Sequence, residues 1–496
     1  MTANHLFDGL LHGRDRDSRI LLRVPGGSDW SYAQLVELSG RLANLLTVEG
    51  VKPGDRVAVQ VQKSPQAIAL YLAAVRAGAV FLPLNTAYTR SEVDYFLGDA
   101  EPALFVCGSE RAAEFDGIDA RLLTLDGDGG GSLMDTALIQ PAEFDNIARD
   151  AGDLAAILYT SGTTGLSKGA MLSHDNLLSN SLTLVDYWQF TANDVLLHAL
   201  PIFHTHGLFV ATNIMLICGG SMIFLARFDV DTIIEQLPRA TSMMGVPTFY
   251  TRLLDDERFD RQLVSHMRLF VSGSAPMLAE THARFEDRTG QRILERYGMT
   301  ETNMNTSNPY DGERRAGSVG FPLPGVELRI TDPDSGKPLA DGETGMIEVR
   351  GPNVFLGYWR KPEKTAEELR GDGFFITGDI GVIDEDGYLH IVGREKDLII
   401  SGGYNIYPKQ IETEIDSLDG VVESAVFGIP DADFGEAVAA AVVRETGAGL
   451  DEKALLEALG PRLARFKLPR KILFVDELPR NAMGKVQKNV LRDRHG

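Results

Sequence analysis

The stretch "YTSGTTGLSKGAMLSH", residues 159–174, decides how the rest of the chain is interpreted. From Thr160 to Gly165 it concentrates hydroxyl side chains and glycines, a lone Lys168 follows, and apolar residues then return. Glycine permits positive φ and close approach of a ligand, and successive backbone N–H groups form an anion-binding nest. Because the spacing differs from the P-loop pattern G-x-x-x-x-G-K-[ST], the stretch predicts another kind of phosphate-binding loop. The alternative is an ordinary polar turn before a helix that starts near Ser173.

The length and charge of the chain narrow its class. At 496 residues it exceeds what one hydrophobic core usually supports, so two or more domains are expected. The formal net charge of −22 disfavours binding to nucleic acids and anionic membranes. No apolar run approaches the roughly 18 residues of a membrane span, and the N-terminus lacks the apolar core of a signal peptide. Two cysteines, Cys107 and Cys218, make neither a disulfide framework nor a zinc site by themselves. We therefore expect a cytoplasmic protein that binds small molecules.

Helix and strand patterns alternate along the first 150 residues. Leucines at helical spacing predict a helix over 31–50, and 55–61 reads as a strand. Ser64 is typical of an N-cap and Pro65 of a first helical position. Such strand–helix–strand units favour a mainly parallel, helix-covered sheet. After about residue 325 strand and turn signals alternate in a small β region, and a compact unit of about 100 residues follows from about residue 397.

Two distant clusters carry residue types that suit a nucleotide. "VSGSAP" (271–276) offers a flat surface of small residues for a planar ring. "ERYGMTET" (295–302) supplies an aromatic ring for stacking, the Thr300 hydroxyl for a phosphate and the Glu301 carboxylate for Mg²⁺.

Two more clusters lie nearer the chain end. The segment 374–397 holds Asp379, suited to sugar hydroxyls, and Arg394, suited to hydroxyls or a phosphate. "LPRNAMGKVQKNVLR" (478–492) places Lys485 directly after a glycine. Each cluster alone is a weak signal, but their order along the chain is specific.

In that order the motifs resemble the AMP-forming acyl-CoA synthetase family, whose adenylate-forming members include acetyl-CoA synthetase, 4-coumarate ligase and firefly luciferase. The resemblance spans "SYAQL" to "GKVQKNVLR", nearly the whole chain. It implies an α/β fold: a large N-terminal domain of helix-covered β-sheets plus a β region, residues 1–395, and a small mobile α+β C-terminal lid domain, residues 396–496. It further implies a hinge near Lys396, ATP and Mg²⁺ as requirements, and CoA as cosubstrate.

The resemblance also assigns roles to residues. The phosphate loop comprises Thr160, Ser161, Gly162, Thr163, Thr164, Gly165 and Lys168. The adenine pocket is formed by Gly273, Ser274, Ala275, Glu295, Arg296, Tyr297, Gly298 and Met299. Thr300 contacts the α-phosphate, Asp379 and Arg394 hold the ribose, and Lys485 drives adenylation. The metal ligands are Glu301 and Thr160, and Gly402 and Gly403 face the CoA tunnel.

The acyl pocket of the family is lined by segments that match 201–209, 245–254, 271–276 and the stretch after Glu301. The residues of this chain expected there are His204, Thr205, His206, Arg252, Ser274 and Met304. Met304 would shorten the pocket against long fatty chains. An inward Arg252 would suit a second carboxylate by bidentate pairing, whereas the alternative is a surface ion pair with Asp255 or Asp256. The two histidines alternatively fill or gate the pocket wall.

These segments most resemble the malonyl-CoA synthetase branch, which accepts malonate and often methylmalonate. The alternatives are a short-chain, fatty or aryl acyl-CoA synthetase, an adenylation module that loads a carrier protein, and a nonenzymatic nucleotide-binding protein. "IDSLDG" (415–420) superficially resembles a carrier attachment site, but it falls in a helix-to-strand passage. Pro479 to Lys485 resembles the lysine acetylation sites of this family, so a lysine acetyltransferase is an expected partner. We expect a monomer or a weak homodimer.

Overall fold

The computed structural model describes residues 4–160, 167–401, 404–431, 435–445, 447–481 and 484–495. The strands are β1 (Ile20–Arg23), β2 (Trp30–Ser31), β3 (Arg56–Gln60), β4 (Val80–Pro83), β5 (Leu104–Cys107), β6 (Arg121–Thr124), β7 (Leu154–Thr160), β8 (Lys168–Ser173), β9 (Val195–His198), β10 (Ser221–Phe224), β11 (Ser242–Gly245), β12 (Leu269–Ser272), β13 (Leu294–Met299), β14 (Asn303–Ser307), β15 (Phe321–Pro322), β16 (Glu327–Thr331), β17 (Gly345–Arg350), β18 (Gly357–Tyr358), β19 (Phe375–Ile383), β20 (Leu389–Arg394), β21 (Ile399–Ser401), β22 (Tyr404–Ile406), β23 (Val421–Asp431), β24 (Gly435–Arg444) and β25 (Lys471–Val475).

The helices are α1 (His5–Leu11), α2 (Tyr32–Val48), α3 (Pro65–Arg76), α4 (Arg90–Ala100), α5 (Ser132–Ala137), α6 (His174–Tyr187), α7 (Asn213–Cys218), α8 (Val230–Gln236), α9 (Pro247–Leu254), α10 (Ala279–Thr289), α11 (Pro362–Glu368), α12 (Pro408–Asp416), α13 (Glu452–Leu459) and α14 (Lys488–His495). Short 3-10 turns span Ser109–Phe115, Leu237–Arg239, Glu395–Asp397 and Arg465–Lys467, and a π-helix spans His206–Thr212. Among these described residues, no helix has both the length and the apolar character that a membrane span requires.

The expected strand–helix–strand units are present. The helix predicted over 31–50 is α2, and the strand predicted over 55–61 is β3. Ser64 caps α3 by accepting a hydrogen bond from the backbone N–H of Ala67, with Pro65 at the first turn. The predicted helix near Ser173 is α6, which Ser173 and Asn176 close with a capping box.

A seven-stranded sheet flanks the phosphate loop, in the order β18-β8-β7-β4-β3-β5-β6. Its strands β3 to β7 pair in parallel, whereas β7 and β8 are antiparallel and join Thr160 opposite Lys168. The two residues therefore bracket the loop between them. The loop residues 161–166, which include the expected Ser161, Gly162, Thr163, Thr164 and Gly165, lie outside the described residues.

A nine-stranded sheet positions the acyl and nucleotide segments, in the order β15-β14-β13-β12-β11-β9-β10-β1-β2. The neighbours β13, β12, β11 and β9 pair in parallel, so their carboxyl ends lie at one edge. Open parallel sheets bind ligands at that edge. The segments that follow these four strands are those that the sequence singles out: 300–302, 273–276, 247–254 and 201–209.

The chain beyond residue 398 forms a separate small unit. Strands β21 to β25 build their own five-stranded sheet, and its pairing includes no strand from earlier in the chain. Apolar residues of this sheet pack with α12 and α13 in one cluster, and Leu491 of α14 packs on the other face. The large domain of sheets and helices and the small α+β domain are thus both present. Lys396 lies in the turn between β20 and β21, where the sequence predicts the hinge.

Candidate active site

The loop after β12 lies against a buried guanidinium. A methyl group at Gly273 would lie 2.5 Å from Cζ of Arg296, so only glycine lets this side chain pass beneath the loop. Ser274 follows with a φ of 71°, a strained conformation for a residue other than glycine. Its Oγ lies 3.3 Å from Nδ1 of His206, which ties the loop to the π-helix. The expected neighbours Gly273, Ser274, Arg296 and His206 therefore form one surface.

The segment 201–212 is held from below by a lysine that the sequence analysis did not identify. Nζ of Lys63 lies 3.0 Å from Nδ1 of His198 and donates to the carbonyl oxygens of His198 and Leu200 at 2.8 and 2.9 Å. Nε2 of His198 faces the Gly207 carbonyl oxygen at 2.9 Å, so the ring proton belongs on Nε2 and Nδ1 accepts from Lys63. Burial lowers the pKa of Lys63. A single lysine between Gln62 and Ser64 gave no signal of this role.

Arg296, expected in the adenine pocket, is a buried cation within electrostatic range of His204 and His206 in the segment 201–209. Its side chain is 4% exposed, and its Nε and Nη2 have no hydrogen-bond partner among the described residues. Burial lowers its pKa to about 9. Burial and the neighbouring charge of Lys485 and Arg296 lower the pKa of His204 to about 3, and burial with Arg296 lowers that of His206. Both histidines are therefore neutral at pH 7.

Other polar atoms near these residues also have spare hydrogen-bonding capacity. Within the described residues, Oγ1 of Thr205, Nε2 of His206 and Oδ1 of Asn303 are buried without a partner. Met304 is 2% exposed, and its methyl carbon would lie 2.8 Å from a Cβ at Gly298. Buried polar groups are normally paired, so this wall is suited to a polar ligand.

The residues expected at the nucleoside, Tyr297, Asp379 and Arg394, form a cluster. Register pairing sets Asp379 of β19 opposite Arg394 of β20, and Nε of Arg394 lies 2.8 Å from Oδ1 of Asp379. The hydroxyl of Tyr297 donates to the other oxygen, Oδ2, at 2.6 Å. The Asp379 charge raises the pKa of Arg394. Tyr297, Asp379 and Arg394, which the sequence places far apart, are in direct contact.

Glu301 lies at the tip of the β13–β14 hairpin. Its carboxylate is 6% exposed and accepts from the hydroxyl of Tyr358 at 3.1 Å. Burial raises the pKa of Glu301. No described residue forms an ion pair with Glu301, and carboxylate oxygens are ligands that Mg²⁺ prefers, so Glu301 fits Mg²⁺. The described residues contain no cluster of three or more acidic, His or Cys ligands, so water and phosphate oxygens would complete the shell.

Lys168 meets two residues that the sequence analysis missed. Its Nζ lies 3.2 Å from Oε1 of Glu368 and 4.1 Å from the ring centroid of Tyr358. Tyr358 donates to Oε2 of Glu368 at 2.6 Å, so its hydroxyl lies between Glu301 and Glu368. The two residues lie in the short elements β18 and α11. The sequence patterns of these elements gave no sign of a contact with Lys168.

Lys485 extends from the small domain towards the same cleft. A Cβ atom added at Gly484 would lie 3.5 Å from Oγ1 of Thr248, so this part of the small domain is close to α9. The Lys485 side chain keeps access to solvent, but the surrounding protein and the charge of Arg394 lower its pKa to about 8. The carboxylates of Asp379 and Glu301 act on it in the opposite direction. The amine therefore lies within electrostatic reach of both ends of the site.

Two expected positions have other surroundings. Arg252 is exposed on α9, so its predicted inward orientation is wrong. The alternative partners Asp255 and Asp256 pair with Arg284 and Arg258 instead.

Glu295, expected in the adenine pocket, is buried against His282, whose Nδ1 lies 3.1 Å from Oε1. Strand alternation explains this, because Glu295 and Arg296 project to opposite faces of β13. Gly298, Met299 and Thr300 link Tyr297 to Glu301, Ala275 follows Ser274, and the nucleotide contacts expected of these residues stay predictions. Gly402 and Gly403 lie outside the described residues.

The site thus combines a carboxylate–arginine pair, a buried carboxylate and the two lysines Lys168 and Lys485. Residues 13–359 match the AMP-binding enzyme family, and residues 410–485 match the AMP-binding enzyme C-terminal domain. The chain belongs to this family and is an AMP-forming acyl-CoA ligase that acts through an adenylate. The resemblance seen in the sequence is confirmed.

Several relatives are similar over almost the whole chain. The crystal structure of ATP-bound MatB from Rhodopseudomonas palustris is 60% identical, with a TM-score of 0.97 and 99% of each chain covered. The apo form of that protein gives a TM-score of 0.87. A feruloyl-CoA synthase of Amycolatopsis sp. is 38% identical, covering 95% of each chain. A malonate–CoA ligase of Arabidopsis thaliana is 34% identical, covering 96% of this chain and 86% of the relative.

The Lys63 contacts predict a stability effect. Lys63→Met keeps the length of the side chain but leaves the buried Nδ1 of His198 and the carbonyl oxygen of Leu200 without their partner, so the free energy of unfolding should fall by about 1–3 kcal/mol. Thermal unfolding compared with Lys52→Met, at an exposed position, measures this. Equal midpoints for the two variants would show that the buried contacts do not stabilise the fold.

The lowered pKa of Lys485 predicts a pH dependence. The cationic form predominates below a pKa of about 8 and is lost as the pH rises through it. Because Lys485 is the residue expected to drive adenylation as a cation, kcat/KM for ATP–pyrophosphate exchange should fall by about tenfold per pH unit above that pKa. Lys485→Arg, which stays protonated, should lose this limb of the profile. A flat wild-type profile through this range would contradict the assignment.

Proposed function

We propose that this ligase joins malonate, and also methylmalonate, to CoA and gives malonyl-CoA, AMP and pyrophosphate. The observation that carries this proposal is the buried guanidinium of Arg296, whose Nε and Nη2 have no partner among the described residues. The carboxylate that ATP activates becomes an acyl phosphate and loses its charge. A second carboxylate on the acid would supply the anion that this guanidinium lacks.

Arg296 is well placed to select a diacid. An unpaired buried cation is costly, whereas a bidentate carboxylate satisfies both its charge and its donors. Arg296 and Lys485 both lower the pKa of His204, so both cations lie within electrostatic range of that ring. A short diacid would extend from Lys485 at the reacting carboxylate to Arg296 at the distal one. Arg252, being exposed, is replaced by Arg296 in this role.

The relatives offer two candidate acids. The malonate–CoA ligase of Arabidopsis thaliana supports a diacid, and the feruloyl-CoA synthase of Amycolatopsis sp. supports an aryl acid. An aryl ring would leave Arg296, Thr205 and Asn303 without partners in an apolar contact. The polar wall therefore favours malonate. An extra methyl changes binding by only ~1–3 kcal/mol, so methylmalonate should also be accepted.

Adenylation follows from the charges of the site. The acid attacks the α-phosphate of ATP, and the negative charge that develops on the transferring oxygens is stabilised by Lys485. We assign the ribose to Asp379 and Arg394, the base to the surface of Gly273, Ser274 and Tyr297, and the β- and γ-phosphates to Lys168. Glu301 with Thr160 would hold Mg²⁺, which supplies Lewis-acid stabilisation of the phosphates when bound.

The second half-reaction requires the small domain to turn. We place the domain boundary at residues 395 and 396, with Lys396 as the hinge. Turning would withdraw Lys485 and bring the Gly402–Gly403 side to the CoA thiol, which attacks the acyl carbon and expels AMP. The higher TM-score to the ATP-bound neighbour than to its apo form supports the present arrangement as the adenylating one. Acetylation of the solvent-accessible Lys485 would remove its charge and would block adenylation.

Replacing Arg296 tests the substrate. In Arg296→Met, kcat/KM for malonate should fall by ~10³ or more, because the distal carboxylate is buried without a partner. Propionate, which lacks that carboxylate, should lose little or improve. ATP–pyrophosphate exchange across acetate, propionate, malonate, methylmalonate and succinate measures both changes.

Arg252→Met is the matched control, since it removes the same charge from an exposed site. It should leave the acid preference unchanged. Strong exchange of the wild type with acetate or ferulate and none with malonate would contradict the proposal, as would an unchanged preference in Arg296→Met. Arg296→Lys keeps the charge but not the bidentate guanidinium. Its kcat/KM for malonate should fall between those of the wild type and Arg296→Met.

Lys485→Ala tests the division between the half-reactions. Adenylation should slow by ~10²–10³ or more, because one electrostatic contact to the transition state is lost. Thioester formation from supplied malonyl-AMP should change much less. Equal losses in both half-reactions would show that Lys485 has no specific role in adenylation.

A further inference from the structure

Glu368 is the one carboxylate seen in direct contact with Lys168 in the described part of the chain. Its Oε1 lies 3.2 Å from Nζ of Lys168, and the two side chains are 22% and 19% exposed. Oε2 accepts the hydroxyl of Tyr358 at 2.6 Å. Glu368 is the last residue of α11, so its position is set by a different element from the β8 strand that carries Lys168.

The pair is built so that Lys168 can leave it. Glu368 also contacts Nζ of Lys364 at 3.0 Å, one helical turn earlier in α11. If Lys168 turns to a phosphate, Glu368 keeps Lys364 and Tyr358 as partners and is not left as an unpaired charge. Lys168 meanwhile retains the face of the Tyr358 ring, 4.1 Å from its amine. Two acceptors therefore compete for one ammonium group.

We propose that Glu368 is a positioning residue that competes with polyphosphate for Lys168 and so weakens the hold on pyrophosphate. ATP, held also through its base and ribose, tolerates this competition, whereas pyrophosphate depends more on the loop and is released. The inference rests on the proposed placement of the β- and γ-phosphates beside Lys168.

Glu368→Gln tests the competition. Glutamine keeps the shape and the acceptor for Tyr358 but removes the charge that attracts Lys168. The Kd of inorganic pyrophosphate, measured by calorimetry with excess Mg²⁺ and no acid, should fall by about tenfold. The Kd of ATP should fall less. Inhibition of ligation by added pyrophosphate should become stronger in the same proportion.

Glu367→Gln is the matched control, because it removes a charge one residue away that pairs with Lys364 at 2.8 Å and is exposed. Its Kd for pyrophosphate should stay within about twofold of the wild type, as expected for a screened surface charge. Unchanged or weaker pyrophosphate binding in Glu368→Gln, with an unaltered thermal midpoint, overturns the inference. Glu368→Asp, which retracts the charge, should give an intermediate gain and serves if the glutamine variant unfolds.

Lys168→Ala separates the inference from the proposed function. It should weaken pyrophosphate binding by about tenfold or more, and Glu368→Gln should then give no further gain. If Lys168→Ala leaves pyrophosphate binding unchanged, the placement of the phosphates is wrong. If it weakens binding while the gain from Glu368→Gln persists in full, Glu368 does not act through Lys168 and the inference alone fails.

Discussion

Parallel pairing of β13, β12, β11 and β9 is the constraint on which the active site depends. Parallel strands point their carboxyl ends the same way, so the segments that follow them must meet at one edge of the sheet. Residues as distant in sequence as His206, Ser274 and Arg296 become neighbours for this reason. The close approach of Arg296 to the backbone of Gly273 then seals the floor of the site.

The cations of the site differ in whether a carboxylate pairs with them. Arg394 is neutralised by Asp379, and Lys168 by Glu368, whereas Arg296 has no carboxylate among the residues the structure describes. Lys485 lies between these groups on a domain of its own. In the proposed function, the distal carboxylate of a diacid would pair with Arg296, and the phosphates of ATP would compete with Glu368 for Lys168.

The sequence predicted much of this architecture for local reasons. The cap at Ser64, the helix that starts near Ser173, leucine spacing in α2 and the strand and turn signals of the β region depend on a few neighbouring residues, and the structure confirms them. The contact of Tyr297 with Asp379 agrees with the order of motifs that the resemblance supplied. The error at Arg252 has a simple cause: an amphipathic helix of eight residues does not state which of its faces meets the pocket.

By itself the sequence determined the class of chemistry, because a glycine- and hydroxyl-rich loop with Lys168, Glu301, Asp379 and Lys485 in order is specific to adenylate formation. Tertiary structure alone decided which arginine is buried without a partner and which carboxylate meets Lys168. Burial and pairing depend on contacts between β13 and the β12 loop, and between α11 and β8, that are far apart along the chain. Such contacts leave no periodic trace in sequence, so Arg296 and Glu368 emerge only from the folded chain.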